Sequence, residues 1–482
     1  MISLQKLQSL LRVLGLAERE RFLLFLASPY HNTNTRLLPL AQMLFELVDQ
    51  NEVLRLEPSS LYQCLYPQEA EVKMQRIYDH LSFLRRLVER FYAIEQLLAQ
   101  PVQESVLQLQ YLTDADAWDS HRLLQKKGVA RSETHLQQDS ESHLSRFRLL
   151  QQANYAFLAL GERRFDASLN QMDEELSLFF LAQKLRNACE MFNRGNVVQG
   201  DYSPTMLPEI MQFLGEKPSY LQYPAIAVYH QLLRCYEVED RASFAHFRSL
   251  IREHAKAFGK IELGGLYDYA QNICVKKINQ GDSSYLQLYF ELFQEMLAQD
   301  LMLEAGVLDH RLYKNIVTVG IRLREYVWVE EFIHGFAERL SPAFREAAYH
   351  YNLAAYYHAI KDYRNAQRQL WKVDIEDVYY QLGARTLLLK IYFGLEDEEG
   401  LEAQVRAFRA YLKRNRKVSP YQTRAHAGLI RYTQRLSRLR GKRSSLSLKQ
   451  FRHEIGKMEA DVRALSPVSN RDWLLSQMKE LD

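Results

Sequence analysis

Apolar residues recur three and four positions apart through most of the chain, the interval that gathers them on one face of a helix. Leu4, Leu7, Leu11 and Leu14 open the pattern. In ERERFLLFLASPYHNTNTRLLPLAQMLFELV, two apolar segments flank Ser28-Pro29 and the polar run from Asn32 to Thr35. That arrangement predicts one helix ending and a second being capped. Leu81, Leu84, Leu87, Phe91, Ile94 and Leu98 form a further stripe. Pro101 and the polar stretch after Gln125, KKGVARSETHLQQDS, are the strongest internal breaks. From Glu141 to Asn193 the spacing predicts two long helices, the second in EELSLFFLAQKLRNACEMFNR. GNVVQGDYSPTMLP, with Gly195, Gly200, Pro204 and Pro208, marks the next boundary. No alternating segment bounded by hairpin turn residues predicts a strand.

In the second half a period of roughly 34 residues emerges. Tetratricopeptide-type hairpins carry a large residue, a leucine, a small residue and an aromatic on helix A, and a small residue opens the core face of helix B. Close packing explains the pattern: small side chains let two backbones approach, and large ones fill the grooves beside them. In YHYNLAAYYHAIKDYRNAQRQLWKVD, Leu353, Ala354 and Tyr357 take the helix A positions, Tyr363 the turn, and Ala366 and Leu370 helix B. His350 departs from the usual large aromatic, and Val378 from the usual proline between units. Val319, Gly320 and Leu323 match upstream, where Phe332 replaces the small residue of helix B and that unit is expected to pack differently. Leu388, Leu389 and Tyr392 match downstream, with Leu401 and Val405 on helix B; Tyr229, Leu232, Tyr236 and Ala245 also fit. CVKKINQGDSSYLQLYFELF supplies a weaker unit of longer spacing.

The pattern predicts five helix pairs, Pro224–Phe258, Leu266–Leu297, Asp309–Leu340, Ala347–Val373 and Gln381–Leu412. The expected fold is all-α: a helix-hairpin repeat superhelix, or tetratricopeptide-like α-solenoid, with an added N-terminal helical region and C-terminal capping helices. An irregular α-bundle array is the alternative. The expected organisation is an N-terminal helical region over 1–126, a long helical hairpin over 136–200, the repeat array over 219–415 and a basic helical cap over 420–482.

Composition supports helix. Among 482 residues only 19 are Gly and 12 Pro, while Tyr (29) and Phe (23) are abundant enough to fill a large core. Cys64, Cys189, Cys235 and Cys274 are far apart and form no C-x-x-C pair, so reduced, mostly buried thiols are expected. Lys6 and Arg12 interrupt the N-terminal apolar residues, which recur at helical spacing, so no signal peptide is expected there, and the densest apolar run nearby, Phe22 to Ala27, is far shorter than a membrane span. A cytoplasmic location without a membrane span is expected. Net charge is only +3, but Ala403 to His453 holds 15 Lys or Arg and no Asp or Glu, leaving −12 on the rest.

The search for chemistry yields no catalytic set, cofactor site or metal site. No phosphate-binding loop, H-E-x-x-H or G-x-S-x-G occurs, and Gly264-Gly265 lacks the spacing and lysine of a phosphate cradle. His350 and His358 are eight apart, too far to share a metal without a ligand between them, and read as packed or half-exposed side chains. DADAWD, with Asp114, Asp116 and Asp119, lacks the glycine and distal glutamate of a calcium loop. The EDEE run from Glu396 to Glu399 reads as a solvated interhelical loop. In KLRNACEMFNR, pairing of Glu190 with Arg186 or Arg194 across a turn is favoured over a functional network.

Two polar sets remain. Asn272, Lys276, Asn279, Lys314, Asn315 and Arg322 are candidates for the inner face of the array, where repeat proteins grip peptides. In YQTRAHAGLIRYTQRLSRLRGKR, an apolar stripe of Ala425, Leu429, Tyr432, Leu436 and Leu439 lies beside a basic one of Arg431, Arg435, Arg438 and Lys442, continued by Arg443. The apolar face would cap the array. The basic face would meet nucleic acid, an acidic partner, an anionic membrane surface, or the acidic body of the same chain. Few aromatics interleave with the arginines, which argues against base stacking.

FLASPYHN, LFFLAQKLRNACEMFNR, LYKNIVTVGIRLREYVWVEEFI and WLLSQMKEL resemble an uncharacterised family of helical-repeat proteins from the Bacteroidota. The resemblance covers almost the whole chain, and the two middle segments are its most specific part. It implies a helical-repeat fold in a bacterial cytoplasm and transfers no catalytic residue. The leading functional expectation is a non-enzymatic scaffold or adaptor that holds a protein or peptide in a concave groove. Nucleic-acid or acidic-partner binding through the basic C-terminal helix is the alternative. A peptide-sensing regulator is the third, although the first hundred residues are poor in the basic residues a helix-turn-helix needs.

Overall fold

The computed structural model describes residues 4–49, 58–69, 71–133, 138–197, 202–304, 306–373 and 377–481. Gly200 and residues 134–137 of the polar stretch, both read as parts of boundaries in the sequence, lie outside the described residues. The chain is all-α, and the described residues form 23 α-helices. It divides into two compact units, Met1–Met191 with Tyr202–Leu233, and Phe192–Asp201 with Arg234–Asp482. No described helix is long and apolar enough to cross a membrane.

The first unit begins with α1 (Leu4–Val13), α2 (Leu16–Ala27), α3 (Leu37–Asp49), α4 (Pro58–Leu65) and α5 (Met74–Leu98). They share one core. Leu7, Leu11 and Leu14 of the opening stripe meet Phe22, Leu40, Tyr62, Leu84 and Phe91 there, all nearly excluded from solvent. Next come α6 (Pro101–Asp114), α7 (Trp118–Glu133), α8 (Ser140–Ala159), α9 (Ser168–Val197), α10 (Leu207–Glu216) and α11 (Pro224–Val238), of which the ends of α9 from Phe192 and of α11 from Arg234 belong to the second unit. Pro101 starts α6, where its missing N–H is no loss. The polar stretch after Gln125 is not a break over its first half, because α7 runs through Lys126 to Glu133. Gly128 is the reason: a Cβ there would stand 3.0 Å from Leu149 and 3.2 Å from Ser105. The glycine lets α7 lie close against α6 and α8, so its role is packing and not helix breaking.

The second unit continues with α12 (Arg241–Glu253), α13 (Lys260–Asn279), α14 (Tyr285–Ala298), α15 (His310–Leu323), α16 (Tyr326–Phe336), α17 (Arg345–Ala359), α18 (Tyr363–Leu370), α19 (Val378–Gly394) and α20 (Glu398–Arg414). It ends with α21 (Pro420–Gly441), α22 (Leu448–Ala464) and α23 (Arg471–Leu481). Leu303-Glu304 (β1) and Val307-Leu308 (β2) form a two-residue antiparallel ladder that the sequence did not predict. A strand this short carries too little alternation to be read.

Each of the five spans predicted from the sequence holds two helices. The turns within these pairs are alike. Glu239, Gly281, Arg324, Lys361 and Glu396 each have φ between +54° and +100° at the end of the first helix. The next residue is acidic every time: Asp240, Asp282, Glu325, Asp362 and Asp397. In four turns its N–H reaches back five residues, from Asp282 to Lys277, Glu325 to Gly320, Asp362 to Tyr357 and Asp397 to Tyr392, at 2.9–3.1 Å. Those bonds satisfy carbonyls that a helix end otherwise leaves orphaned. Asp240, Asp362 and Asp397 then cap the second helix through Ser243, Asn365 and Gly400 N–H.

Ala354 and Ala366, the small residues of α17 and α18, are fully buried. In the preceding pair the large Phe332 stacks on Trp328 and Phe336. Gly320 on α15 is the small partner there, since a Cβ on it would overlap Val329 of α16. Packing also runs along the odd helices: α15 meets α17, α17 meets α19, α19 meets α21, and α21 meets α23. A single core joins Leu389, Phe393, Val405 and Phe408 of α19 and α20 to Leu429, Leu436, Phe451, Ile455 and Leu474 of α21 to α23.

Candidate partner-binding groove

Helical periodicity on four odd helices builds one cleft of about 450 Å³ in the second unit. Lys314, Thr318, Ile321 and Arg322 line it from α15, at positions i, i+4, i+7 and i+8. Tyr351, Ala355, His358 and Ala359 line it from α17 at the same intervals. Gly383, Thr386, Leu387 and Lys390 face it from α19, and Gln422 and His426 from α21. Those intervals are what one face of a helix presents.

The cleft is basic. Lys314, Arg322 and Lys390 line it, and none of the described lining residues is Asp or Glu. Burial pushes the Lys314 ammonium down to about 8, against the opposing charge of Asp377. Asp377 itself is 3.0 Å from Arg311. Lys314 Nζ lies 4.8 Å from the ring centroids of both Tyr351 and Tyr380, where the π faces replace part of its lost hydration. Burial also pushes Lys390 down to about 8. Its Nζ donates to Asn470 Oδ1 at 2.6 Å and lies 5.2 Å from the Trp473 ring. His358 is pushed down to about 3, first by burial and then by the charge of Lys390, so it is neutral at pH 7. Burial likewise lowers His426.

Gly383 decides how close these groups come. A Cβ there would be 2.5 Å from the Tyr351 hydroxyl and 3.0 Å from Lys314 Nζ. Only glycine leaves room for both without a shift.

Of the six groove candidates, Lys314 and Arg322 come together in this cleft. Asn315 is exposed on α15 and is not part of the lining. Asn272, Lys276 and Asn279 stand on α13 instead. There Asn272 donates to Asn193 Oδ1 at 3.1 Å, Lys276 pairs with Glu239 at 2.8 Å, and Asn279 is exposed. The sequence reading missed Lys390, Thr386, Gln422, His426 and Asn470. For Lys390 a signal existed: it is the one charge in LLLKIYFG. His350 and His358 have separate environments, since His350 Nδ1 is 2.7 Å from Gln369 while His358 lines the cleft. Among the described residues no group of three His, Cys, Asp or Glu side chains is placed to hold a metal.

The apolar stripe of α21 is buried at Ala425, Leu429, Tyr432, Leu436 and Leu439. Its basic stripe turns partly inward. Arg435 meets Asp461 at 3.3 Å, Arg438 meets Glu402 at 3.0 Å, and Arg440 meets Glu396 at 3.5 Å. Arg440 also donates to the Phe393 carbonyl at 2.9 Å, in the last turn of α19. Arg443 donates to the Leu481 carbonyl at 2.7 Å and covers the Phe451 ring. Arg431 and Lys442 are exposed.

No family model, curated protein or solved structure matches this chain.

Proposed function

We propose that this chain is a non-enzymatic helical-repeat scaffold whose second unit is a tetratricopeptide-like α-solenoid, and that it holds a protein or peptide partner in the groove lined by α15, α17, α19 and α21. The observation that carries this reading is the shared phase of those helices. α15, α17 and α19 each turn a face at i, i+4 and i+7 spacing toward one cleft, and α21 adds Gln422 and His426 at i and i+4. The five similar turns, each a left-handed residue followed by an acidic one, favour a repeat over an irregular bundle. A cytoplasmic setting belongs to the same proposal.

Nucleic-acid binding by the basic helix has less support, because Arg435 and Arg438 already face Asp461 and Glu402. It would still predict an affinity that falls steeply with salt.

Selection of a displayed random-peptide library against the full chain tests the groove. Binders to the wild type should lose at least about tenfold in affinity, the effect of roughly 1.4 kcal/mol, when Thr318→Trp or Ala355→Trp fills the cleft. Melting temperatures of both variants report whether the fold is kept. Binders indifferent to both well-folded variants would place the partner surface elsewhere.

A further inference from the structure

The 15 Lys and Arg between Ala403 and His453 have no Asp or Glu among them in the sequence. Arg435, Arg438 and Arg440, in the C-terminal half of α21, meet Asp461, Glu402 and Glu396. A different group gathers at the other end of the α20–α21 hairpin. Arg409 and Lys413 stand on α20, Arg416 and Lys417 in the connecting residues, and Arg424 and Arg431 on α21. All six residues are exposed.

Two helix faces make one surface. Arg409 and Lys413 are four residues apart, on one side of α20, and Arg424 and Arg431 are seven apart, on one side of α21. Arg409 donates to Gln434 Oε1 at 3.1 Å and Arg438 meets Glu402 at 3.0 Å, which fixes an antiparallel register. In that register Lys413 and Arg431 each lie about one turn nearer the connection than the Arg409–Gln434 pair. Glu402, on the same side of α20, is held by Gln434 and Arg438. This side is not the cleft: Arg424 follows the cleft-lining Gln422 by two residues, about 200° around α21.

What surrounds the cations narrows the partner. A lipid surface takes up large apolar side chains between the charges, and a protein interface centres on aromatic anchors seated in pockets. Among the described residues from Ala403 to Arg443, the one exposed large apolar side chain is Tyr421. The exposed neighbours of the cations include the small Ala403, Ala407 and Ala427. A single tyrosine makes no stacking platform for an unpaired strand. The surface is therefore charge on rigid helices. A nucleic-acid duplex offers its complement, two phosphate backbones flanking a groove about 6–12 Å wide. Packed helix axes lie about 8–10 Å apart, so the α20 and α21 rows match that width.

We propose that this end of the α20–α21 hairpin binds the backbone of a nucleic-acid duplex without reading its bases. Arg424 and Arg431 meet one strand, Arg409 and Lys413 the other, and Arg416 and Lys417 the flanking phosphates. The surface is separate from the groove, and neither reading depends on the other. Six phosphate contacts release counterions, so log affinity falls against log salt with a slope of about −5. Affinity drops about a thousandfold between about 50 and 200 mM salt.

Fluorescence anisotropy with the full chain tests the proposal. The probes are a labelled mixed-sequence DNA duplex, the RNA duplex of the same sequence and their single strands, with polyglutamate and phosphatidylserine vesicles as rival partners. A duplex, DNA or RNA, should bind saturably at low salt with that slope, and equally well when its sequence is scrambled. Lys413→Gln/Arg424→Gln/Arg431→Gln should bind at least tenfold more weakly, with a slope smaller by about 3 and an unchanged melting temperature. Arg416→Gln/Lys417→Gln, confined to the connection, should reduce the slope by about 2. Ala355→Trp, which fills the cleft, should leave duplex binding as it is. No saturable binding of either duplex, wild-type binding by both multiple variants, or a tenfold loss on scrambling overturns the proposal. Tighter binding of single strands, polyglutamate or vesicles than of either duplex overturns it as well and assigns the surface to that partner.

Discussion

Lys390 combines a charge, a dry environment and a hydrogen bond to a neutral amide, and the energetic sign of that combination is unfavourable. Its folded pKa of about 8 lies below the ordinary lysine value, so the unfolded chain binds the proton more tightly. Below pH 8 both states are charged and the folded state carries the whole desolvation penalty. The penalty is relieved as pH rises from 8 toward the unfolded value near 10.5. Between pH 7 and 9.5 this relief amounts to about 2 kcal/mol for one lysine. Urea titrations of wild type and Lys390→Met should therefore converge by about that amount over this range, the wild type gaining relative to the variant. A difference that stays constant with pH would show that Lys390 is hydrated in the folded chain. In LLLKIYFG it reads as one polar position on an otherwise apolar helix, and which neighbours the ammonium meets depends on α17 and α23. Lys314 and Arg322 were legible as charges on the helix that carries the Val319-Gly320-Leu323 pattern, on the side of that helix turned largely away from it.

At the scale of elements, the turns carry the repeat. A left-handed conformation costs an ordinary L-residue roughly 1 kcal/mol more than it costs glycine. Gly281 has it without strain, whereas Glu239, Arg324, Lys361 and Glu396 do not. Lys361→Gly is expected to raise stability by up to about 1 kcal/mol in thermal unfolding, since its ion pair with Glu480 is exposed and worth little. A loss of stability instead would mean that the side chain at this turn matters more than its backbone. Helix pairing was legible from small residues at fixed offsets, Ala354 and Ala366 above all, because close approach leaves no alternative at those positions. The continuation of α7 was not. Gly128 is written as a breaker and used as a contact, and only the neighbouring Leu149 and Ser105 reveal the difference.

For the whole molecule, the uneven charge has a local answer. Much of the basic excess between Ala403 and His453 lies on α20 and α21, and Arg435, Arg438 and Arg440 meet carboxylates of their own unit. The apolar face of α21 joins the same core as α19 and α20 and completes the row of odd helices. The cleft lies on that row, which makes the groove the central claim. Site-specific photo-crosslinking tests it most directly. A benzophenone side chain is placed at Thr318 or Gln422 in the cleft, and at Arg364 of α18 or Arg406 of α20 as controls. A library-selected peptide should crosslink from Thr318 and Gln422 and not from Arg364 or Arg406. Crosslinks from the α18 and α20 positions, with none from the cleft, would contradict the account.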